Sequence, residues 1–524
     1  MLTTRRQFVQ QLSLASVGLL LPASSFARLS NQLPRSTPES QGVDSGGIIR
    51  FLEALSQSKH EMHSLMILRH GQVIAEGWWQ PYAPDLKHTL YSMSKSFTST
   101  AIGLAVAEGK LQTSDKVISF FPDDLPPTIS ENLAKLSIKD LLMMSVGQAA
   151  EPKIRNESHW VRAFLATPIE HTPGSVFLYN SMATYMCSAI LQKVTGQKLI
   201  DYLRPRLFEP LDIQNPDWEE DSQGINTGGW GLRVRTEDLA KFGQLYLQKG
   251  LWKGHQIIPK EWVEEATTFK IQQPPAANAT RPTAQNDWQQ GYCYQFWRCQ
   301  HNAYRGDGAF GQYTIVMPDQ EAVIAITSET PDMQGILDLI WTHLLPAMKP
   351  KPLSPSPTSK RLKQILSGLA LLPPKGDSIS PKTNDILGKT YQIAPNDLHL
   401  QSLRLTEPVA NRYELVLQYS DKIQTIPYEM GKWGLGQTTS LAPTLVASTQ
   451  IKRPVGGKIA SSGLWKTPNM LEITIRYYES PHREWLTLTF DNDQVEVSFD
   501  NSISRMWGNK DARPSLKGIW VAAR

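Results

Sequence analysis

Residues 349–358 read Lys-Pro-Lys-Pro-Leu-Ser-Pro-Ser-Pro-Thr, and this run constrains the fold more than any other stretch. Proline fixes φ and gives up its N–H, so such a run continues neither a helix nor a central strand. A semi-extended linker is expected there, dividing the 524 residues into parts of different texture. Before it, strand-like 64–70 and 72–79 flank Gly71, a hairpin signal. Residues 92–108 follow as a helix with Phe97, Ala101, Leu104, Ala105 and Ala107 on its apolar face and Gly109 at its end. Shorter helices are expected at 138–144, 182–194 and 236–249, strands at 291–298, 311–317 and 321–327, and an amphipathic helix at 333–345. Strands at both ends with helices between predict an α+β layout, one antiparallel sheet closed by distant parts of the chain. Beyond about residue 380, YELVLQY, LEITIRYY, WLTLTF and VEVSF alternate apolar and polar residues, the mark of a separate small all-β domain. The expected boundaries are 28–348, a linker over 349–380, and 381–524.

The first 27 residues read as an address. Arg5 and Arg6 precede an apolar run from Leu12 to Leu21, then Pro22 and small residues to Ala27. That is the build of a secretory signal, too short to span the ~30 Å of a bilayer core comfortably. Thr4-Arg5-Arg6-Gln7-Phe8-Val9 is similar to the twin-arginine export motif, and cleavage is expected before Arg28. The mature protein is then expected in the periplasm, with no integral membrane segment. A net charge of +4 with no Lys/Arg run longer than two excludes an electrostatic footprint for nucleic acid. Of three cysteines, at least one must stay unpaired. Cys293 and Cys299 sit in a strand-like run whose ~20 Å reach prevents a disulfide unless the chain turns between them. No Cys/His spacing suits zinc, and neither metal nor cofactor is expected.

The sharpest local feature is Ser92-Met93-Ser94-Lys95 at the start of a helix. A serine and a lysine three apart share one helix face, and the first turn offers free backbone N–H groups to a developing oxyanion. A lysine can take a proton from that serine only if burial or nearby positive charge lowers its pKa. The motif alone is weak, since roughly two Ser-x-x-Lys matches arise per 500 residues of average composition. A second one, Ser56-Gln57-Ser58-Lys59, lies at a helix end and reads as a solvated decoy.

Two further segments strengthen the first. Pro173-Gly174-Ser175-Val176-Phe177-Leu178-Tyr179-Asn180-Ser181 puts a tyrosine on a loop before a helix. Gly306-Asp307-Gly308-Ala309-Phe310-Gly311-Gln312-Tyr313 opens a strand where glycines admit close backbone approach. With these three in order, the chain resembles the serine β-lactamase/penicillin-binding-protein superfamily. It is most similar to the class C-like branch with its esterases, D-aminopeptidases and 6-aminohexanoate-dimer hydrolases. YSMSKSFTSTAIGLAVAEGKL, IKDLLMMSVG, GGWGLRVRTEDLAKFGQLYL, GYCYQFW and GAFGQYTIVMPDQ carry the resemblance over residues 36–346.

The resemblance implies a β-lactamase/transpeptidase-like fold, an antiparallel sheet flanked by helices plus a helical lobe. It implies Ser92 as acylated nucleophile, Lys95 as proton acceptor and Tyr179 as a second acid/base group. The N–H of Ser92, with one from the strand around Gly306 to Gly308, would form the oxyanion hole, and Ser181 would line the substrate site. Ser181 stands where β-lactamases carry Asn, and neither Lys-Thr-Gly nor His-x-Gly is present. The cation that would grip a substrate carboxylate is therefore missing unless Arg305 or His301 replaces it. The expectation is an exported serine hydrolase that cleaves an ester or linear amide, small molecule or peptide, through an acyl-enzyme. Trp160, Trp230 and Trp297 are candidates to line an apolar cleft. Three rivals are a cell-wall D-aminopeptidase, carboxypeptidase or penicillin-binding protein; a non-catalytic sensor with this fold; and a binding role for the β-domain, whose Trp433, Trp465 and Trp485 serve equally well as core.

Overall fold

The computed structural model describes residues 32–275, 279–454 and 456–522; the expected signal sequence lies outside them. Helix α1 (Ser45–Ser56) begins at Asp44, whose carboxylate accepts from the Gly46 N–H. It leads into β1 (Glu61–Arg69) and β2 (Gln72–Trp78), an antiparallel pair that turns at His70 and Gly71, both at positive φ. Helix α2 (Ser94–Ala107), entered through a short 3₁₀ turn at Tyr91–Met93, is buried along almost all its length. Helices α3 (Ser181–Thr195) and α4 (Thr236–Leu247) follow. The sheet resumes with β3 (Trp297–Arg298), β4 (Tyr304–Gly308), β5 (Gln312–Met317) and β6 (Ala322–Glu329).

Among the described residues the sheet order is β2-β1-β6-β5-β4-β3. β6 pairs antiparallel with β1 from Glu61↔Glu329 to Arg69↔Ala322, so distant parts of the chain do close one sheet. Its two faces are both covered. Met66, Leu68, Val316 and Val323 join the core that holds α2, α3 and α4, while Leu65, Ile67, Ile315 and Ile324 pack with α1 and Trp341.

The segment expected to run as strand over 291–298 does not. The chain reverses at Tyr294–Gln295, with Gln295 at φ 64° and the Cys293 N–H donating to the Phe296 carbonyl, and only Trp297–Arg298 is strand. The turn is held by the buried Gln295 amide, which donates to the Leu142 carbonyl at 2.7 Å and accepts from Thr184 Oγ1 at 2.7 Å. Despite the turn, Cys293 and Cys299 remain free thiols, as does Cys187. The Pro/Ser segment departs from expectation as well. Lys349 and Leu353 donate backbone hydrogen bonds to Gly42 and Glu39, and Pro357–Ser367 forms helix α5. Proline at the first helical position makes that start favourable, and Leu362 is buried beside α1.

An all-β barrel follows. Its strands are β7 (Thr390–Ile393), β8 (Leu400–Val409), β9 (Arg412–Tyr419), β10 (Ile423–Met430), β11 (Gly434–Thr438), β12 (Gly457–Thr467), β13 (Met470–Tyr477), β14 (Arg483–Asp491), β15 (Gln494–Asn501) and β16 (Leu516–Trp520). They run β10-β9-β8-β7-β16-β15-β14-β13-β12-β11, and parallel pairing of β10 with β12 closes the ring. The alternation seen in the sequence supplies the interior, with Leu403, Leu405, Leu415, Leu417, Ile473, Leu488, Val497 and Trp465 inside. Trp433 and Trp485 instead stack against Arg476 and Arg505.

Candidate active site

The start of α2 puts Ser92 and Lys95 on one face, as the spacing requires. Lys95 is 2% exposed, enclosed by the core that its helix buries, whereas Ser92 is half-buried. The decoy pair Ser56 and Lys59 is exposed. The Lys95 Nζ lies 3.1 Å from Ser92 Oγ and 3.3 Å from Ser181 Oγ, and it donates to the Gly229 carbonyl at 2.6 Å. No carboxylate stands within ion-pair distance of it among the described residues. Loss of solvation brings its pKa down to about 7; the charges of Glu151 and Asp307 resist the fall and that of Arg155 assists it.

Tyr179 completes the cluster. The Lys95 Nζ sits 4.9 Å from its ring centroid. Burial pushes its phenol well above its ordinary pKa, Asp307 adding to the rise and the nearby Ser92 side chain opposing it. The ring is stacked on Trp297 at 5.9 Å and meets Tyr292 edge-on at 6.3 Å, part of an apolar cluster with Phe177, Met144 and Trp288. Asn180 caps α3 by accepting from the Met182 and Ala183 N–H groups, which fixes Ser181 at the helix entrance. The Ser181 N–H donates to Glu151, itself paired with Arg155 at 2.8 Å.

Strand β4 forms the opposite wall. A β-carbon at Gly306 would stand 2.4 Å from Met93 Sδ, and one at Gly308 would stand 1.9 Å from the Leu90 carbonyl oxygen. Both glycines therefore draw the strand against the backbone that carries Ser92. Arg305 is fully buried and paired with Asp307 at 2.9 Å, donating also to the Asp287 carbonyl. It is not free to receive a substrate carboxylate. His301 is exposed and packs on Trp341.

A family model described as Beta-lactamase matches residues 51–344. The chain belongs to the β-lactamase family. It is a serine hydrolase of that family, and the fold and superfamily expected from the motifs are those found. A 6-aminohexanoate-dimer hydrolase of Paenarthrobacter ureafaciens is 25% identical over 346 residues, covering 61% of this chain and 85% of that protein. The octameric penicillin-binding protein homologue from Pyrococcus abyssi aligns over 90% of this chain and 99% of its own, at 16% identity and TM-score 0.44. EstCE1, a hydrolase with promiscuous acyltransferase activity, aligns over 57% of this chain and 99% of its own, at 15% identity and TM-score 0.47.

Within this β-lactamase-family site, Gly229, Glu151, Asp307, Tyr292 and Trp288 escaped the sequence reading. Gly229 sits in the Gly-Gly-Trp-Gly run already noted for its resemblance, but nothing local shows that its carbonyl faces a lysine. Trp160 and Trp230 are core residues packed on one another at 6.0 Å, so of the three tryptophans only Trp297 reaches the cluster.

Proposed function

We propose that the protein hydrolyses an ester or linear amide through an acyl-enzyme on Ser92. The observation that carries this is the buried Lys95 amine, 3.1 Å from Ser92 Oγ, with a carbonyl and hydroxyls for partners. A neutral amine has two N–H donors and one lone pair. The Gly229 carbonyl only accepts, so it takes one donor, and Ser181 Oγ takes the other. The lone pair is left for the Ser92 hydroxyl proton. On attack at the substrate carbonyl, Ser92 Oγ bonds carbon while its proton passes to Lys95. Tyr179, above the same amine, relays a proton to the departing alcohol or amine. The Ser92 N–H and one from the strand around Gly306 to Gly308 receive the oxyanion. Water then releases the acid and restores the serine.

Tyr179, backed by the buried Trp297 and Tyr292, favours an apolar acyl or leaving group. Arg305, committed to Asp307, is not available to a substrate ending in a carboxylate, which disfavours penicillins and cell-wall peptides. The twin-arginine-type leader and its apolar run support export to the periplasm, with a mature N-terminus near Arg28.

The test compares short-chain nitrophenyl esters, a linear amide and a cephalosporin on wild type and Ser92→Ala. Ester or amide turnover that disappears in Ser92→Ala, with a burst of one nitrophenol per wild-type active site, is the expected result. Undiminished turnover in Ser92→Ala removes the nucleophile, and rapid cephalosporin turnover favours the penicillin-recognising reading. N-terminal sequencing of periplasmic material tests export; an intact Met1 there refutes it.

A further inference from the structure

Two aromatic residues beside the candidate nucleophile hold left-handed backbone, Tyr91 at φ 49° and Phe310 at φ 69°. Such conformations are unfavourable for bulky side chains and persist where surrounding structure enforces them. Tyr91 immediately precedes Ser92. Phe310 lies in the turn that leaves β4 after Gly308 and enters β5 at Gln312. The two residues thus flank the backbone stretches assigned above to the oxyanion hole.

Both rings pack against one histidine of the barrel. His482 lies between β13 and β14, is 0% exposed, and meets the Phe310 ring at 4.7 Å and the Tyr91 ring at 5.7 Å. Its Nδ1 is 2.7 Å from Glu329 Oε1, and its Nε2 is 2.5 Å from the Tyr91 hydroxyl. A carboxylate only accepts, so Nδ1 carries hydrogen toward Glu329. Nε2 meets the Tyr91 hydroxyl, whose oxygen accepts from the Leu445 N–H at 3.3 Å. Glu329, the last residue of β6, also accepts from Ser502 Oγ at 2.5 Å. Its neighbours Ser328 and Thr330 donate to the Phe310 carbonyl, at 2.8 Å from Ser328 Oγ and 3.1 Å from the Thr330 N–H. The hydrogen bonds run from the hydrolase sheet into the barrel and back to the residue before Ser92.

We propose that His482, supplied by the C-terminal barrel, is a positioning residue for the acyl transfer, clamping Tyr91 and Phe310 so that the two sides of the oxyanion site face each other. The barrel is then a working part of the enzyme. The inference rests on Ser92 being the nucleophile.

The experiment measures kcat and KM for a nitrophenyl ester with full-length wild type, His482→Ala, Tyr91→Phe, the double variant and Ser92→Ala, each well below its Tm. A shift of about 1 Å in positioned groups costs on the order of 10²-fold. We therefore expect kcat of His482→Ala, counted per folded molecule from its thermal unfolding curve, to fall on that order while KM changes by less than about threefold. The double variant should be no slower than His482→Ala, because both changes break one link. Wild-type kcat in folded His482→Ala overturns the proposal, as do losses that multiply in the double variant. Should His482→Ala not fold, Tyr91→Phe keeps the ring packing and decides: kcat unchanged overturns, kcat lowered at constant KM supports. Hydrolysis surviving in Ser92→Ala fails the reading of the site itself. Hydrolysis lost in Ser92→Ala but intact in His482→Ala fails the positioning role alone.

Discussion

The Lys95 amine and the Gly229 carbonyl oxygen stand 2.6 Å apart, and this contact decides which way the lysine's lone pair points. A β-carbon at Gly229 would lie 2.8 Å from the Ser181 carbonyl oxygen and 3.5 Å from Lys95 Nζ. The glycine is there because a side chain would push its own carbonyl away from the amine. We expect Gly229→Ala to lower kcat by more than about tenfold, since misplaced acid/base groups lose most of their advantage. Steady-state kinetics on a nitrophenyl ester checks this; an unchanged kcat would refute the orienting role.

The pH dependence follows from the same amine. Burial brings Lys95 down to about 7, and only its neutral form can accept the Ser92 proton. The rate should climb as pH rises through about 7 and level off above it. A kcat/KM profile flat between about pH 5.5 and about 8.5 would show that another group is the base.

Burying that amine also costs stability, in a window set by its two pKa values. The unfolded lysine titrates near 10.5 and the folded one near 7, so between them the unfolded chain binds more protons and stability rises with pH. The cost is therefore fully present below about 7 and fades toward 10.5. Lys95→Met should abolish activity, by on the order of 10³-fold, while raising the Tm at neutral pH. The gain should shrink as pH approaches 10.5. Calorimetric scans across that range test it, and a Tm lowered at pH 7 would contradict it.

A fourth expectation concerns the junction with the barrel. Glu61 and Glu329 are directly opposed across β1 and β6, and like charges there need cations. Arg476 and Arg483 of the barrel supply them, Arg476 at 2.5 Å from Glu61 and Arg483 bridging Glu61 and Glu329. Attraction to these arginines outweighs the opposing effect of burial and holds the Glu61 carboxyl well below its usual 4.5. Breaking a buried pair from one side costs about 3–5 kcal/mol, and a Glu61 side chain that is 19% exposed belongs at the low end. Glu61→Gln should lose about 3 kcal/mol in denaturant titrations near neutral pH. A depressed carboxylate stabilises above its unfolded pKa, and that contribution disappears as pH falls through the folded value. The difference between wild type and Glu61→Gln should accordingly narrow in acid.

The fold was legible where period and punctuation agreed. The β1–β2 hairpin, α2, α3, α4 and the alternating barrel strands all emerge from spacing and glycine stops. The failures share a cause in tertiary context. Residues 291–298 look like a strand, yet the Gln295 side chain finds buried partners on Leu142 and Thr184 that repay a reversal. The Pro/Ser segment looks like a linker, yet its second half carries Leu362 to an apolar face that α1 leaves open. The Ser92, Lys95 and Tyr179 cluster was legible as three motifs in order. Gly229 and His482 were not, because their contacts join positions 134 and 391 residues apart along the chain, where no local pattern reaches.

The pairing of β1 with β6 has a consequence for biosynthesis. A strand that leaves the ribosome near residue 61 waits for one that ends at residue 329 before its inner edge is covered. Until then the hairpin offers a row of unsatisfied amides to any neighbouring nascent chain, and long-range closure of this kind is slow. Ser92 is made early but gains its surroundings late, and if the His482 clamp holds, only when nearly the whole polypeptide has been translated.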